Sequence, residues 1–379
     1  MEFVDLRIDV TAAAGLGEPA WIAATVHLPD PARLPASPVI CFAKPGGGYS
    51  RGYYTIDLPG PAKGAQADWH AARGWIFVSV DHLGVGDSSL HDGARLTYVT
   101  LAAAAHAAEA EIIARLAAGT IAQGYPRIGD ALKIGIGQSM GGCLTIVQQG
   151  RHHGYDGIAV LGYSAIHTQP PTRPGATALV PAWLGRDTLL SQPLAMLNAD
   201  AIAAAPPMQG TLAENFGWAF HFDDVPAEVV ARDMAQFNRN LGEISFNEGA
   251  SGNGGDTTPA PWNSSTIPGA VGQSCMTPGI IASEAAAVTC PVLVAMGERD
   301  VCADPKGEVR AYLSANSVDL FICPRMAHMH NFASTRELFW QRIETWADWV
   351  RAAQRGTSLP AKLVGRYWTT WRQIPAYHW

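Results

Sequence analysis

The sequence lacks the features that would mark several large function classes. Its 26 lysines and arginines against 33 aspartates and glutamates give a net charge of −7. No basic run is dense enough to grip a phosphate backbone, so nucleic acid is excluded as an expected partner. Its first ten residues, MEFVDLRIDV, lack the basic start and apolar block of an export signal. No membrane-length apolar stretch is free of charge: Tyr98–Gly119 comes closest and carries Glu109, Glu111 and Arg115. The six cysteines (Cys41, Cys143, Cys275, Cys290, Cys302 and Cys323) are scattered without a C-x-x-C pair, which reads as reduced, structural thiols. The expectation is a cytoplasmic protein off the membrane. A 48% share of hydrophobic residues against 16% charged excludes a disordered chain.

What the sequence does contain is strand and helix patterning. Val4, Leu6, Ile8 and Val10 alternate with Asp5, Arg7 and Asp9, as in a half-exposed antiparallel strand, and Ala20–Leu28 is its expected partner. Short continuous apolar runs then follow at Val39–Ala43, Trp75–Val80, Leu132–Ile136, Gly157–Leu161, Val292–Met296 and Val318–Ile322. Runs of this kind fit strands buried on both faces of a mostly parallel sheet. Helical stretches lie between them, including Thr100–Ala118, Gly141–Gly150 and Arg336–Arg351, so the class is α/β. Residues 166–286 break the rhythm with helical pieces and two loose stretches, Thr168–Gly175 and Ser251–Asp256. They are expected to form an inserted, largely helical cap on a core of residues 1–165 and 287–379.

The strongest local signal is Gly137-Gln138-Ser139-Met140-Gly141, directly after a strand and opening a helix. Small neighbours allow a strained strand-to-helix turn that lifts the Ser139 hydroxyl over the sheet edge. The rival dinucleotide loop fails on spacing, since Gly135, Gly137 and Gly141 give G-x-G-x-x-x-G. A nucleophilic serine needs a base and an orienting acid, in the chain order Ser, acid, His. Asp300 follows Val292–Met296 and His328 follows Val318–Ile322, both at strand ends. Glu298 is the alternative acid, with shorter reach, and His330 the alternative base; the parity of His328 and His330 does not separate them, though His328 is favoured. As an H-x-H metal site the pair lacks further ligands, and no metal is expected. Oxyanion donors are expected from Gly47 and Gly48, after Val39–Ala43, and from the N–H of Met140.

Together, Pro45-Gly46-Gly47-Gly48-Tyr49, Asp81-His-Leu-Gly-Val-Gly-Asp-Ser88, Gly137–Gly141, Gly297–Asp300 and His328–Asn331 resemble the α/β-hydrolase superfamily. The resemblance spans residues 38 to about 350 apart from the cap. It implies an eight-stranded sheet, a serine-centred triad and no cofactor. Many members carry His-Gly where this chain has Pro45-Gly46, which leaves the choice of oxyanion donors open.

The expected activity is hydrolysis of a carboxylic ester, lactone or thioester through an acyl enzyme, with a small acyl compound as substrate. Acyl transfer, C–C bond hydrolysis and a slow or non-catalytic ligand-binding module are the alternatives. Trp183, Trp218, Phe220, His221 and Trp262 are candidate pocket residues from the cap, with cap core packing as the equal alternative, and Tyr49 beside the glycines borders the expected site or packs with the aromatics around it. The aromatic tail Leu359–Trp379 either packs on its own core or docks a second subunit as a homodimer, with self-packing favoured.

Overall fold

The computed structural model describes residues 2–174, 212–244 and 259–357. Trp183, the Ser251–Asp256 stretch and the Leu359–Trp379 tail lie outside these residues, and so does Gly175.

Eight strands form one sheet: β1 (Glu2–Asp9), β2 (Trp21–Leu28), β3 (Val39–Lys44), β4 (Ile76–Val80), β5 (Leu132–Gln138), β6 (Gly157–Leu161), β7 (Val292–Arg299) and β8 (Val318–Ala327). Their order is β1-β2-β4-β3-β5-β6-β7-β8, with β1–β2 and β2–β4 antiparallel and the rest parallel. The hydropathy pattern explains each position. On β1, Val4, Leu6 and Ile8 turn inward while Phe3, Asp5, Arg7 and Asp9 stay exposed, as an edge strand requires. Every residue of β3, β4 and β6 is buried, because helices cover both faces.

β8 departs from the expected double burial. It is the other edge of the sheet, so Val318–Phe321 are only half buried and Ile322 is 39% exposed.

Five helices matter for the site: α1 (Tyr98–Ala118), α2 (Met140–His152), α3 (Leu212–Phe220), α4 (Ala227–Ile244) and α5 (Arg336–Thr357). α1 starts where the Thr97 side chain accepts from the Thr100 amide, and stops at Gly119, in the left-handed region at φ 71°. Apolar clusters on the two faces of the sheet form the core, and all six cysteines are buried in it as free thiols. Among the described residues, the chain between β6 and β7 contributes helices and isolated bridges but no strand of the sheet. No described helix is long and apolar enough to cross a membrane.

Candidate active site

The site begins with the turn out of β5. Ser139 sits at φ 54°, ψ −122°, a strained conformation for a residue with a side chain. Its amide donates to Leu161 O on β6 at 2.8 Å, and its carbonyl accepts from the Cys143 amide of α2. The flanking glycines are needed sterically. A Cβ on Gly137 would lie 2.1 Å from the Gly141 carbonyl oxygen, and one on Gly141 would lie 2.2 Å from Lys44 O. Ser139 is partly exposed between the buried Gln138 and Met140, so this turn presents one side chain and hides its neighbours. It also leads straight into α2, whose N-terminal dipole favours negative charge beside the hydroxyl.

Parallel pairing of β6, β7 and β8 carries Asp300 and His328 to the same sheet edge. Asp300 is buried and accepts four hydrogen bonds. Oδ1 accepts from His328 Nδ1 at 2.7 Å and the Val301 amide at 2.8 Å; Oδ2 accepts from His330 Nε2 and the Gly297 amide, both at 2.8 Å. Burial alone would raise the pKa of this carboxyl, but the two histidines outweigh it and hold it well below the usual carboxylate range. Glu298 instead accepts from the Arg325 amide, which leaves Asp300 as the acid partner of His328. Both histidines reach Asp300, by different nitrogens. His328 uses Nδ1 and so leaves Nε2 off the carboxylate, whereas His330 spends Nε2 on it and its buried Nδ1 has no partner among the described residues. Gly162, at φ 58°, makes room for the pair: its Cβ would lie about 3.1 Å from both carboxylate oxygens.

The environment of His328 is built largely from other segments. The Phe220 ring at the end of α3 stands 4.9 Å from the imidazole, and the Met329 amide donates to Phe220 O at 2.8 Å. Gln138 brings its amide nitrogen to 3.3 Å from His328 Nε2 and donates to His328 O at 3.0 Å. Ser139 and His328 share no hydrogen bond in this arrangement.

The glycine loop after β3 folds against Ser139. A Cβ on Gly46 would meet Gln138 Oε1 at 2.3 Å and Ser139 Cβ at 3.1 Å, and one on Gly47 would meet Met140 Sδ at 3.6 Å. Gly46 thus packs directly on Ser139, and Gly47 lies beside the Met140 side chain. Beneath the loop, Lys44 is wholly buried, with Nζ 2.6 Å from both Glu109 Oε1 and Tyr155 OH. Glu109 Oε2 accepts from Tyr155 OH and Gln148. The loop's other side is fixed by His82, whose Nε2 donates to Pro45 O at 2.9 Å; burial lowers its pKa to about 4, so the ring is neutral there. Asp81, in the same motif, accepts from the Arg51 amide and guanidinium and from the Asp87 amide.

The expected pocket residues divide. Trp218 is partly exposed, with the Arg299 guanidinium 4.2 Å over its ring. Tyr49 and Trp262 are buried and point their polar atoms at Asp233 of α4, a residue that local pattern reading passed over. Among the described residues, no group of three or more His, Cys, Asp or Glu side chains is arranged to hold a metal ion.

No protein-family model matches the chain, and no curated protein sequence matches it. Solved structures do. A proline iminopeptidase from Mycobacterium smegmatis aligns with a TM-score of 0.56 at 15% identity, over 93% of this chain and 100% of that one. A thermophilic esterase from Thermogutta terrifontis gives 0.53 at 14%, over 91% and 99%. A haloalkane dehalogenase variant from Bradyrhizobium elkanii gives 0.52 at 13%, over 94% and 100%. At such identities the likeness is one of fold.

Proposed function

We propose that this chain, which has the α/β-hydrolase fold, is a serine hydrolase that cleaves a carboxylic ester or a related acyl compound such as a lactone or thioester. The observation that carries the reading is the strained, partly exposed Ser139 at the same sheet edge as a buried Asp300–His328 pair joined at 2.7 Å. The three similar structures named above, a peptidase, an esterase and a dehalogenase variant, support catalysis in a broad sense and leave the substrate to the chain's own residues.

In the proposed reaction the Gln138 amide first yields His328 Nε2 to Ser139. Ser139 Oγ attacks the acyl carbon while Nε2 takes its proton, and Asp300 holds the Nδ1–H side of the ring. The carbonyl π pair moves onto oxygen, where the amides of Gly47, Gly48 and Met140 receive it. On collapse the leaving group departs with the proton from Nε2, giving an ester on Ser139. Water then attacks that ester with Nε2 as base, and the acid product leaves with Ser139 restored.

A second reading, a slow or ligand-binding module, draws support from one observation: Gln138, not Ser139, faces His328 Nε2. A fluorophosphonate probe followed by peptide mass spectrometry separates the two. A stoichiometric adduct on Ser139 is expected for the hydrolase. Folded protein that takes no adduct favours the binding module.

A further inference from the structure

The turn that carries the oxyanion glycines is stitched to a segment far away in sequence. The Tyr49 amide closes it on Gly46 O at 3.2 Å, the Ser50 amide donates to Trp262 O at 2.9 Å, and the Ser264 amide donates to Gly48 O at 2.8 Å, with a bridge between Tyr49 and Asn263. Four backbone residues, Gly48 to Arg51, thus run beside Pro261–Ser264, and Gly52 completes the approach: its Cβ would lie 2.5 Å from Pro261 O.

Asp233 lies under this seam, with no solvent exposure. Its Oδ2 accepts from Tyr49 OH at 2.7 Å and His221 Nε2 at 2.9 Å. Its Oδ1 accepts from Trp262 Nε1 at 2.6 Å and, more weakly, from Asn263 Nδ2 at 3.4 Å. One carboxylate therefore binds the glycine turn, the chain just past α3 and the far side of the seam, from its place on α4. The same stretch past α3 leads back to the triad. Phe220, next to His221, packs on His328, and the Arg299 guanidinium, beside Asp300 in sequence, donates to His221 O at 2.7 Å. A buried carboxylate holds such a cluster only while each donor stays in place, because a lost donor leaves charge unsatisfied in a dry site.

We propose that Asp233 is a positioning residue for the oxyanion turn: through Tyr49 and Trp262 it fixes where Gly47 and Gly48 stand relative to Ser139. This rests on the serine-hydrolase reading of the site but is tested apart from it. Asp233 touches no reacting atom; its effect passes through the turn.

Asn in place of Asp keeps one acceptor and turns the other into a donor facing donors, so Asp233→Asn is the direct variant, and Tyr49→Phe removes only the turn's own link. Two measurements decide. Hydrogen–deuterium exchange followed by mass spectrometry is expected to speed up at least tenfold in the Gly46–Ser50 peptide of both variants, with the β5 peptide unchanged. Inactivation by the fluorophosphonate is expected to show the saturating rate constant reduced about tenfold with the half-saturating concentration unmoved, as for a misplaced donor, and the double variant is expected to be no slower than the slower single one. If Asp233→Asn does not fold, Tyr49→Phe carries both measurements. Wild-type exchange in the turn of folded variants overturns the proposal, as does an inactivation defect confined to the half-saturating concentration. Wild-type protein that takes no fluorophosphonate sinks the hydrolase reading alone, and the exchange measurement still decides this one.

Discussion

Gln138 sets its amide nitrogen 3.3 Å from His328 Nε2 while donating to the carbonyl oxygen of the same residue at 3.0 Å. The carbonyl can only accept, so the amide end facing His328 is the NH2 group, and its second proton lies on the Nε2 side. Nε2 is then an acceptor, and the ring proton sits on Nδ1, where Asp300 needs it.

Gln138→Glu inverts that arrangement. A carboxylate cannot donate and calls for a proton on Nε2, the atom that must be bare to accept from Ser139. The expected result is a loss of about 10–100-fold in the rate of Ser139 phosphonylation at neutral pH, short of the roughly 10²–10⁴-fold that a whole general base supplies, because His328 itself stays in place. A wild-type rate in the folded variant would show that Gln138 does not govern the base.

Ser139→Ala and Ser139→Gly should both abolish acyl-enzyme formation, yet they should differ in stability. Alanine keeps the strain at φ 54°, ψ −122°, whereas glycine relieves it. Ser139→Gly is expected to be more stable than Ser139→Ala by about 1 kcal/mol, read from urea unfolding. Equal midpoints would mean that the elbow stores no strain.

His328→Ala should remove activity to the level of Ser139→Ala, because among the described residues His330, the other histidine on Asp300, already turns its Nε2 to the carboxylate. His330→Ala should keep far more, with a loss of about tenfold, since Oδ1 and its bond to His328 remain. The opposite ranking of the two variants in ester hydrolysis would make His330 the base.

Glu308 gives a pH test. Its buried carboxylate accepts from Ser164 Oγ and the Ala165 amide, both at 2.6 Å, and burial pushes its pKa up to about 7. The folded state thus holds a proton that the unfolded chain, near 4.5, releases. The stability this contributes is full below about 4.5 and is lost as pH rises through about 7. Glu308→Gln should flatten that fall in the urea midpoint between the two values; an unchanged slope would place the titration elsewhere.

Much of this molecule is legible in its sequence, for a local reason. Ser139, Asp300 and His328 are each marked by a short-range pattern, an elbow glycine or a strand end, and parallel pairing converts strand ends into neighbours. Burial on both faces was legible in β3, β4 and β6 but misleading in β8, because composition does not say which strand ends the sheet. The remaining features depend on partners far apart in the chain. Glu109 reads as a charge interrupting an apolar helix, and its partner Lys44 lies 65 residues earlier. Asp233 reads as one acid on an amphipathic helix, and Tyr49 is 184 residues away. No periodicity encodes such pairs; only the fold brings them together.

The six buried cysteines make the chain its own clock for opening. Burial pushes the Cys275, Cys290 and Cys302 thiols to about 12 and the Cys323 thiol to about 11, and raises those of Cys41 and Cys143 as well, so the native thiols are protonated and shielded. Cys41 and Cys323 lie on β3 and β8, Cys143 on α2 and the other three in connecting chain, so a maleimide pulse would stamp each of these segments with the moment it first met solvent.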